Sequence, residues 1–346
     1  MKKIQDAEVE NKKVLIRADF NVAISEGNVK ERFKIEACKK TVDFLVEKVG
    51  TRIALCSHLG RPEGKVDAEF SLAQVKDELE NILGRKIVFI DDCIGEKVKE
   101  ALENLNQGEI LLLENVRFHD GDEKNDADFS RKLSENFDVF VNDAFSVCHR
   151  NQASVTGVAK FLPSYAGIWL QKEIENLSKL IHEPLHPAVA VIGGAKIETK
   201  LPLIQKFEKI YDYILVGGRV ANEAIDQKVE FSSKVILPID FANDRLDIGP
   251  KTIQRFKEII STSKMVVWNG PMGKFEESPY DKGTRQVLDI IADGDMFTVI
   301  GGGESVQVLE ENNLMGSISF VSTGGGAMLE YLSGNLMPGI ESLKVE

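Results

Sequence analysis

Residues 297–305 read FTVIGGGES, a β-prone and mostly apolar run that ends in three glycines, a carboxylate and a hydroxyl. Such a run suits a strand buried on both faces, which means a parallel sheet with helices above and below. Gly301, Gly302 and Gly303 let the chain turn where a side chain would clash, and let backbone N–H groups close on an anion at the next helix. The same design recurs in AVAVIGG (188–194), YILVGG (213–218), KVILPID (234–240), KMVVWNG (264–270) and ISFVSTGGG (318–326). An earlier series comprises VLIRADF (14–20), RIALCSH (52–58), KIVFID (86–91), EILLLENVRF (109–118) and DVFVNDAF (138–145). Amphipathic stretches such as IEACKKTVDFLVEKV and DFSRKLSENF separate the strands. The alternation predicts an α/β chain of two doubly wound parallel-sheet domains. Between the series lies FLPSYAGIWLQKEIENLSKLI, whose spacing predicts one long helix after Pro163, joining the domains.

Composition agrees with this size of fold. A chain of 346 residues, 43% hydrophobic and 28% charged, can bury two cores. With 43 basic against 55 acidic residues, net −12, it is a poor general partner for nucleic acid, and any anionic ligand must meet a local basic cluster. Cys38, Cys56, Cys93 and Cys148 are widely spaced, suggesting neither a zinc site nor a disulfide framework and fitting a reducing cytoplasm. His119, His182 and His186 show no ligand spacing and are expected on the surface or in loops. The start, MKKIQDAEVE, has no signal-peptide apolar stretch and no window suits a membrane span, so no membrane partner is expected.

Function in such sheets gathers at the C-terminal ends of strands. In the first half these carry Asp19 and Asn21, His58 and Arg61, Arg117, then Asn142, Asp143, His149 and Arg150. One loop arginine is as easily a solvated residue, but basic groups on four neighbouring strand ends of an acidic chain converge on one crevice. There an arginine fork grips carboxylate or phosphate. In the second half the ends carry GGAK, GGR, NGPMG, GGGES and STGGG, turns suited to wrapping phosphate although none is a Walker A sequence. Lys196 and Lys200 share a helix face if the helix starts soon after GGAK, so both are expected to point at phosphates.

In their order, ADFNV, SHLGRPEGK, LLLENVRFH, EKND, VFVNDAF, HRNQASVTGVAKFLP, AVIGGAK, LDIGPKTI, VVWNGPMGKFE, KGT, FTVIGGGES and STGGGAMLEYLSG make the chain resemble the phosphoglycerate kinase family along nearly its whole length. The resemblance implies a two-domain hinge kinase of glycolysis, monomeric and cytoplasmic. It would transfer a phosphoryl group reversibly from 1,3-bisphosphoglycerate to Mg-ADP, giving 3-phosphoglycerate and ATP. By the same resemblance residues 1–164 hold the glycerate through Asp19, Asn21, His58, Arg61, Arg117 and Arg150, and residues 165–183 form the inter-domain helix. Residues 184–328 hold the nucleotide through Gly193, Gly194, Lys200, Gly217, Gly218, Asn269, Glu276, Gly301, Gly302, Gly303, Glu304 and Ser305. Lys34, Lys196, Lys200, Gly325 and Gly326 are implied at the transferring group, and residues 329–346 as a segment packing back on the first domain.

Several positions depart from the family pattern. Glu304 stands where the family has an aspartate for the nucleotide's magnesium, and the extra methylene moves an oxygen that tight octahedral geometry constrains. Lys34 falls on a family arginine, keeping charge and losing the fork, with Arg32 nearby as a substitute by a register shift. Thr199 replaces an aspartate before Lys200, Arg219 replaces a glycine, and the stretch from Ala221 to Val235 is short, lacking a helical insertion that walls the adenosine site. A working kinase is the first expectation; a catalytically impaired relative serving as a ligand-binding or regulatory protein is the alternative.

Overall fold

The computed structural model describes residues 1–344, which divide into two compact units, Met1–Ile174 together with the chain from Leu336, and Glu175–Asn335. Each is built on a six-stranded parallel sheet with helices between strands. In the first the strands are β1 (Lys13–Arg17), β2 (Arg52–Cys56), β3 (Ile87–Ile90), β4 (Ile110–Leu113), β5 (Val139–Asn142) and β6 (Ser164–Ala166), in the order β3-β4-β2-β1-β5-β6. In the second they are β7 (Ala188–Ile192), β8 (Tyr213–Val216), β9 (Val235–Ile236), β10 (Met265–Asn269), β11 (Phe297–Gly301) and β12 (Phe320–Ser322), in the order β9-β8-β7-β10-β11-β12.

Continuous apolar runs become strands covered on both sides: β4, β5, β7 and β10 are buried at every position. Period-2 alternation sends Val14 and Ile16 into one core of the first unit and Leu15 into the other. The register is continuous, with Val14 opposite Ile53 and Val139, and Val267 between Ala190 and Val299. Strand order reverses beside β1 and β5 in one sheet and beside β7 and β10 in the other, and a crevice opens at such points beyond the carboxyl ends.

The strands stop earlier than the apolar patterns. β1 ends at Arg17 and β4 at Leu113, after which Val116–Phe118 is a 3-10 turn. Residues 164–166 are a correction to the expected helix. Ser164–Ala166 pairs with β5 as an edge strand, and the helix begins at Ile168 and runs to His182. The break sits at Gly167, where a Cβ would fall 2.2 Å from Asp143 Oδ1; that same oxygen accepts the Leu170 N–H at 2.9 Å. From Leu336 the chain packs within the first unit, with Met337 and Leu343 buried, Gly339 N–H donating to Cys148 O at 2.9 Å and Lys2 N–H to Leu343 O at 3.0 Å. No helix among the described residues is long and apolar enough to cross a membrane.

Candidate active site

The first unit gathers its basic groups at the carboxyl ends of β1, β2 and β4. Their centre is a residue that strand reading passed over, Arg17, fully buried as the last residue of β1. Its guanidinium donates to Ala18 O at 2.6 Å and Ser154 Oγ at 3.1 Å, and its third nitrogen lies 3.1 Å from His58 Nδ1. Arginine has no acceptor, so Nδ1 accepts and Nε2 carries the imidazole proton. Burial, with the charges of Arg17, Arg117, Arg150 and Lys34, holds His58 neutral, its pKa pushed well below the usual value. The feature that could have pointed to Arg17 is a lone charge inside an otherwise apolar strand pattern.

Arg117 is 2% exposed on its 3-10 turn and donates to Gly60 O at 2.8 Å, while its Nε and a second terminal nitrogen have no hydrogen-bond partner. Burial and the neighbouring Arg17 and Arg150 lower its pKa to about 10, leaving it charged. Asn21 Oδ1 accepts the Gly60 N–H at 2.9 Å, and Asp19 Oδ1 accepts the Asn21 N–H at 2.9 Å, so these two shape the loop. Lys34 joins the group, donating to Asn21 O at 2.9 Å and pairing with Glu31 at 2.8 Å. Arg32 turns away to Glu78 at 2.7 Å and does not take its place. Arg150 is half-buried beside His149, and Arg61 is exposed.

In the second unit four helices start at glycine or lysine turns: Ile197–Ile210, Gly218–Asp226, Gly303–Glu311 and Gly325–Ser333. None is capped by the side chain of its N-cap residue. First-turn amides lack intrahelical acceptors, so Gly303–Ser305 and Gly325–Ala327 offer donors and dipole to an anion. The other glycines act differently. Gly193 N–H donates to Asn269 O, Gly194 N–H to Pro271 O and Gly218 N–H to Met272 O, at 2.8–2.9 Å, so these turns interlock around NGPMG. A Cβ on Gly193 would lie 2.1 Å from Pro271 O, and one on Gly217 2.5 Å from Met272 Sδ. Gly325 packs on Gly302, and Gly301 ends β11 against Met328. Ser305 Oγ accepts the Gly270 N–H at 3.0 Å.

Lys200 is 6% exposed and donates to Asn269 Oδ1, whose amide nitrogen has no partner. Burial lowers its pKa to about 8, against the pull of Glu304. Lys196 precedes the same helix as its N-cap residue. The helix begins at Ile197, directly after GGAK, with Lys196 exposed at φ +67° and Lys200 buried in its first turn. Thr199 donates to Lys196 O at 2.9 Å. A cavity of about 500 Å³ is lined by Gly194, Arg219, Leu246, Phe275, Glu276 and Glu304. Arg219 leaves it open, for its side chain is 73% exposed and paired with Glu223, which also accepts the Ile197 N–H at 2.8 Å. Partial desolvation and the charge of Glu276 raise the Glu304 pKa, with Lys200 opposing.

The phosphoglycerate kinase family model matches residues 4–243 and 226–335, two segments that overlap close to the stretch read as shortened. Phosphoglycerate kinase of Coprothermobacter proteolyticus is 39% identical over 391 aligned positions, covering 100% of this chain and 99% of the relative. That of Moorella thermoacetica is 40% identical over 386, covering 98% of each. The solved phosphoglycerate kinases of Coxiella burnetii (TM-score 0.81, 31% identity) and Pyrococcus horikoshii (TM-score 0.89, 28% identity) each superpose over 99% of this chain and 98% of their own. By sequence and by fold, the chain belongs to the phosphoglycerate kinase family.

Proposed function

We propose that the protein is a working phosphoglycerate kinase, a phosphotransferase acting on a carboxyl group, moving a phosphoryl group between 1,3-bisphosphoglycerate and Mg-ADP to give 3-phosphoglycerate and ATP. It would act as a monomer in the cytoplasm. The observation that carries this reading is buried Lys200, a desolvated cation bonded to Asn269 and within electrostatic reach of Glu304, which lines the open cavity. Phosphoryl transfer asks a protein for position and for charge on the equatorial oxygens, and little else. Arg117 and Arg150, with neutral His58 donating through Nε2, would hold the glycerate's anionic groups. Lys200 and the amides at Gly303 and Gly325–Gly326 would face the transferring phosphate, and Lys34 would approach it from the glycerate side.

Magnesium fits the residues present. Glu304 and Glu276 line one cavity and their charges act on each other, and a hard divalent cation relieves that repulsion with oxygen ligands. Bound with the nucleotide, it would neutralise phosphate charge. The carboxylate of Glu304 would be its protein ligand, and Glu276 would contact the nucleotide.

Two outcomes are expected here. Because kcat/KM reports the free enzyme, its value for Mg-ATP should fall as pH rises through about 8, where Lys200 loses its proton. The kcat should fall less, since bound phosphates hold the ammonium charged; a flat kcat/KM through that range would remove Lys200 from the chemistry. Lys34→Arg should raise kcat by about tenfold or more, since a fork replaces a point charge in a dry site. A lower kcat would mean that the contacts to Glu31 and Asn21 tune the lysine. The reading as a whole is tested by a coupled assay with 3-phosphoglycerate and Mg-ATP. No turnover by wild type, with turnover gained in Lys34→Arg, would establish the impaired alternative.

A further inference from the structure

Two loops of the first unit, one after β3 and one after the turn that carries Arg117, meet at three residues the kinase reading leaves idle. His119 Nε2 lies 2.9 Å from Asp92 Oδ1, and one ligand atom each from Asp92, Cys93 and His119 lie within 4.8 Å of one another. The positions are held by surrounding structure. Asp92 Oδ1 also accepts the Cys93 N–H at 2.7 Å, Asp92 O accepts the Glu114 N–H at 3.3 Å, and the His119 ring stacks on Phe129 at 5.1 Å. Cys93 is 1% exposed, whereas the His119 and Asp92 side chains are about a third exposed, giving a dry sulfur and an open approach.

We propose that Asp92, Cys93 and His119 form a binding site for a borderline-soft divalent cation, zinc before magnesium or calcium. Thiolate, imidazole and carboxylate are zinc's donors, while magnesium and calcium take oxygen alone. Metal–ligand distances of about 2.0–2.3 Å put tetrahedral donors roughly 3.3–3.8 Å apart, so side-chain movement of about an ångström closes the triad. Buried Asp122, within electrostatic reach of Cys93 and with an Oδ2 that has no hydrogen-bond partner, lies outside this 4.8 Å group, so water would complete the tetrahedron. Zinc takes the sulfur as thiolate, so binding releases the thiol proton to solvent. An ion there would pin the backbone two residues from Arg117, coupling occupancy to the glycerate side. Cys93 and His119 lie 26 positions apart, which is why no spacing rule finds the site.

Zinc titrated calorimetrically into the metal-stripped full-length protein tests the proposal, with Cys93→Ser and His119→Gln alongside. One zinc per chain is expected to bind here, weakened about tenfold or more in each variant. Cadmium should give a thiolate-to-metal charge-transfer band that Cys93→Ser abolishes. Should the buried Cys93→Ser variant unfold, His119→Gln alters a partly exposed side chain and decides the matter beside its melting curve. Absence of zinc binding by wild type, or wild-type affinity in folded His119→Gln, overturns the assignment.

Discussion

Lys200→Ala is expected to lower kcat about a thousandfold, the scale seen when a preorganised charge is withdrawn from phosphoryl or oxyanion transition states. The magnitude follows from burial. At 6% exposure the ammonium works in a medium where each interaction is stronger than in water, and its hydrogen bond to Asn269 Oδ1 fixes its direction. The melting temperature should stay close to wild type, because the lost hydrogen bond is offset by relief from keeping a charge out of water. That pairing of a dead enzyme with an intact fold is what the coupled assay and a thermal melt together would read. A near-normal rate would move the chemistry elsewhere, and exposed Lys196 would be the next residue to replace.

Arg117→Ala should be nearly as severe but in a different constant. The guanidinium is buried with one donor spent on Gly60 O and its Nε 3.6 Å from Glu123, and the remaining terminal nitrogen has no hydrogen-bond partner, the condition of a group built to receive an anion. Removing it should cost about 3 kcal/mol of binding, roughly a hundredfold or more in kcat/KM for 3-phosphoglycerate, carried mainly by KM. The KM for ATP should hold, since the nucleotide residues lie in the other unit. Arg117→Lys should fall between, keeping charge without the fork. Equal losses for both substrates would mean the residue supports structure rather than the glycerate.

Much of this is legible in the sequence. Near-continuous apolar runs are required of strands covered on both faces, and period-2 alternation assigns Val14, Leu15 and Ile16 to opposite cores without further information. Strand ends then locate polar chemistry, which is how His58, Arg117, Asn269 and Gly301–Gly303 came to notice. Ser164–Ala166 was missed because three residues carry no period, and only the open edge beside β5 makes them a strand. Helical spacing of Lys196 and Lys200 gives the helix start directly after GGAK, but not the left-handed φ of +67° at Lys196 through which the chain enters it.

What the sequence determined by itself was therefore local and periodic: two parallel sheets, the faces of their strands, and the turns at their ends. The tertiary structure alone decided the strand orders, the convergence of Arg17 on His58 across 41 residues, and the meeting of Asp92 and Cys93 with His119. The physical reason is that burial periodicity says which side of an element must leave water, whereas which neighbour covers it is settled by long-range packing, and a buried charge takes its role from the neighbours packing supplies.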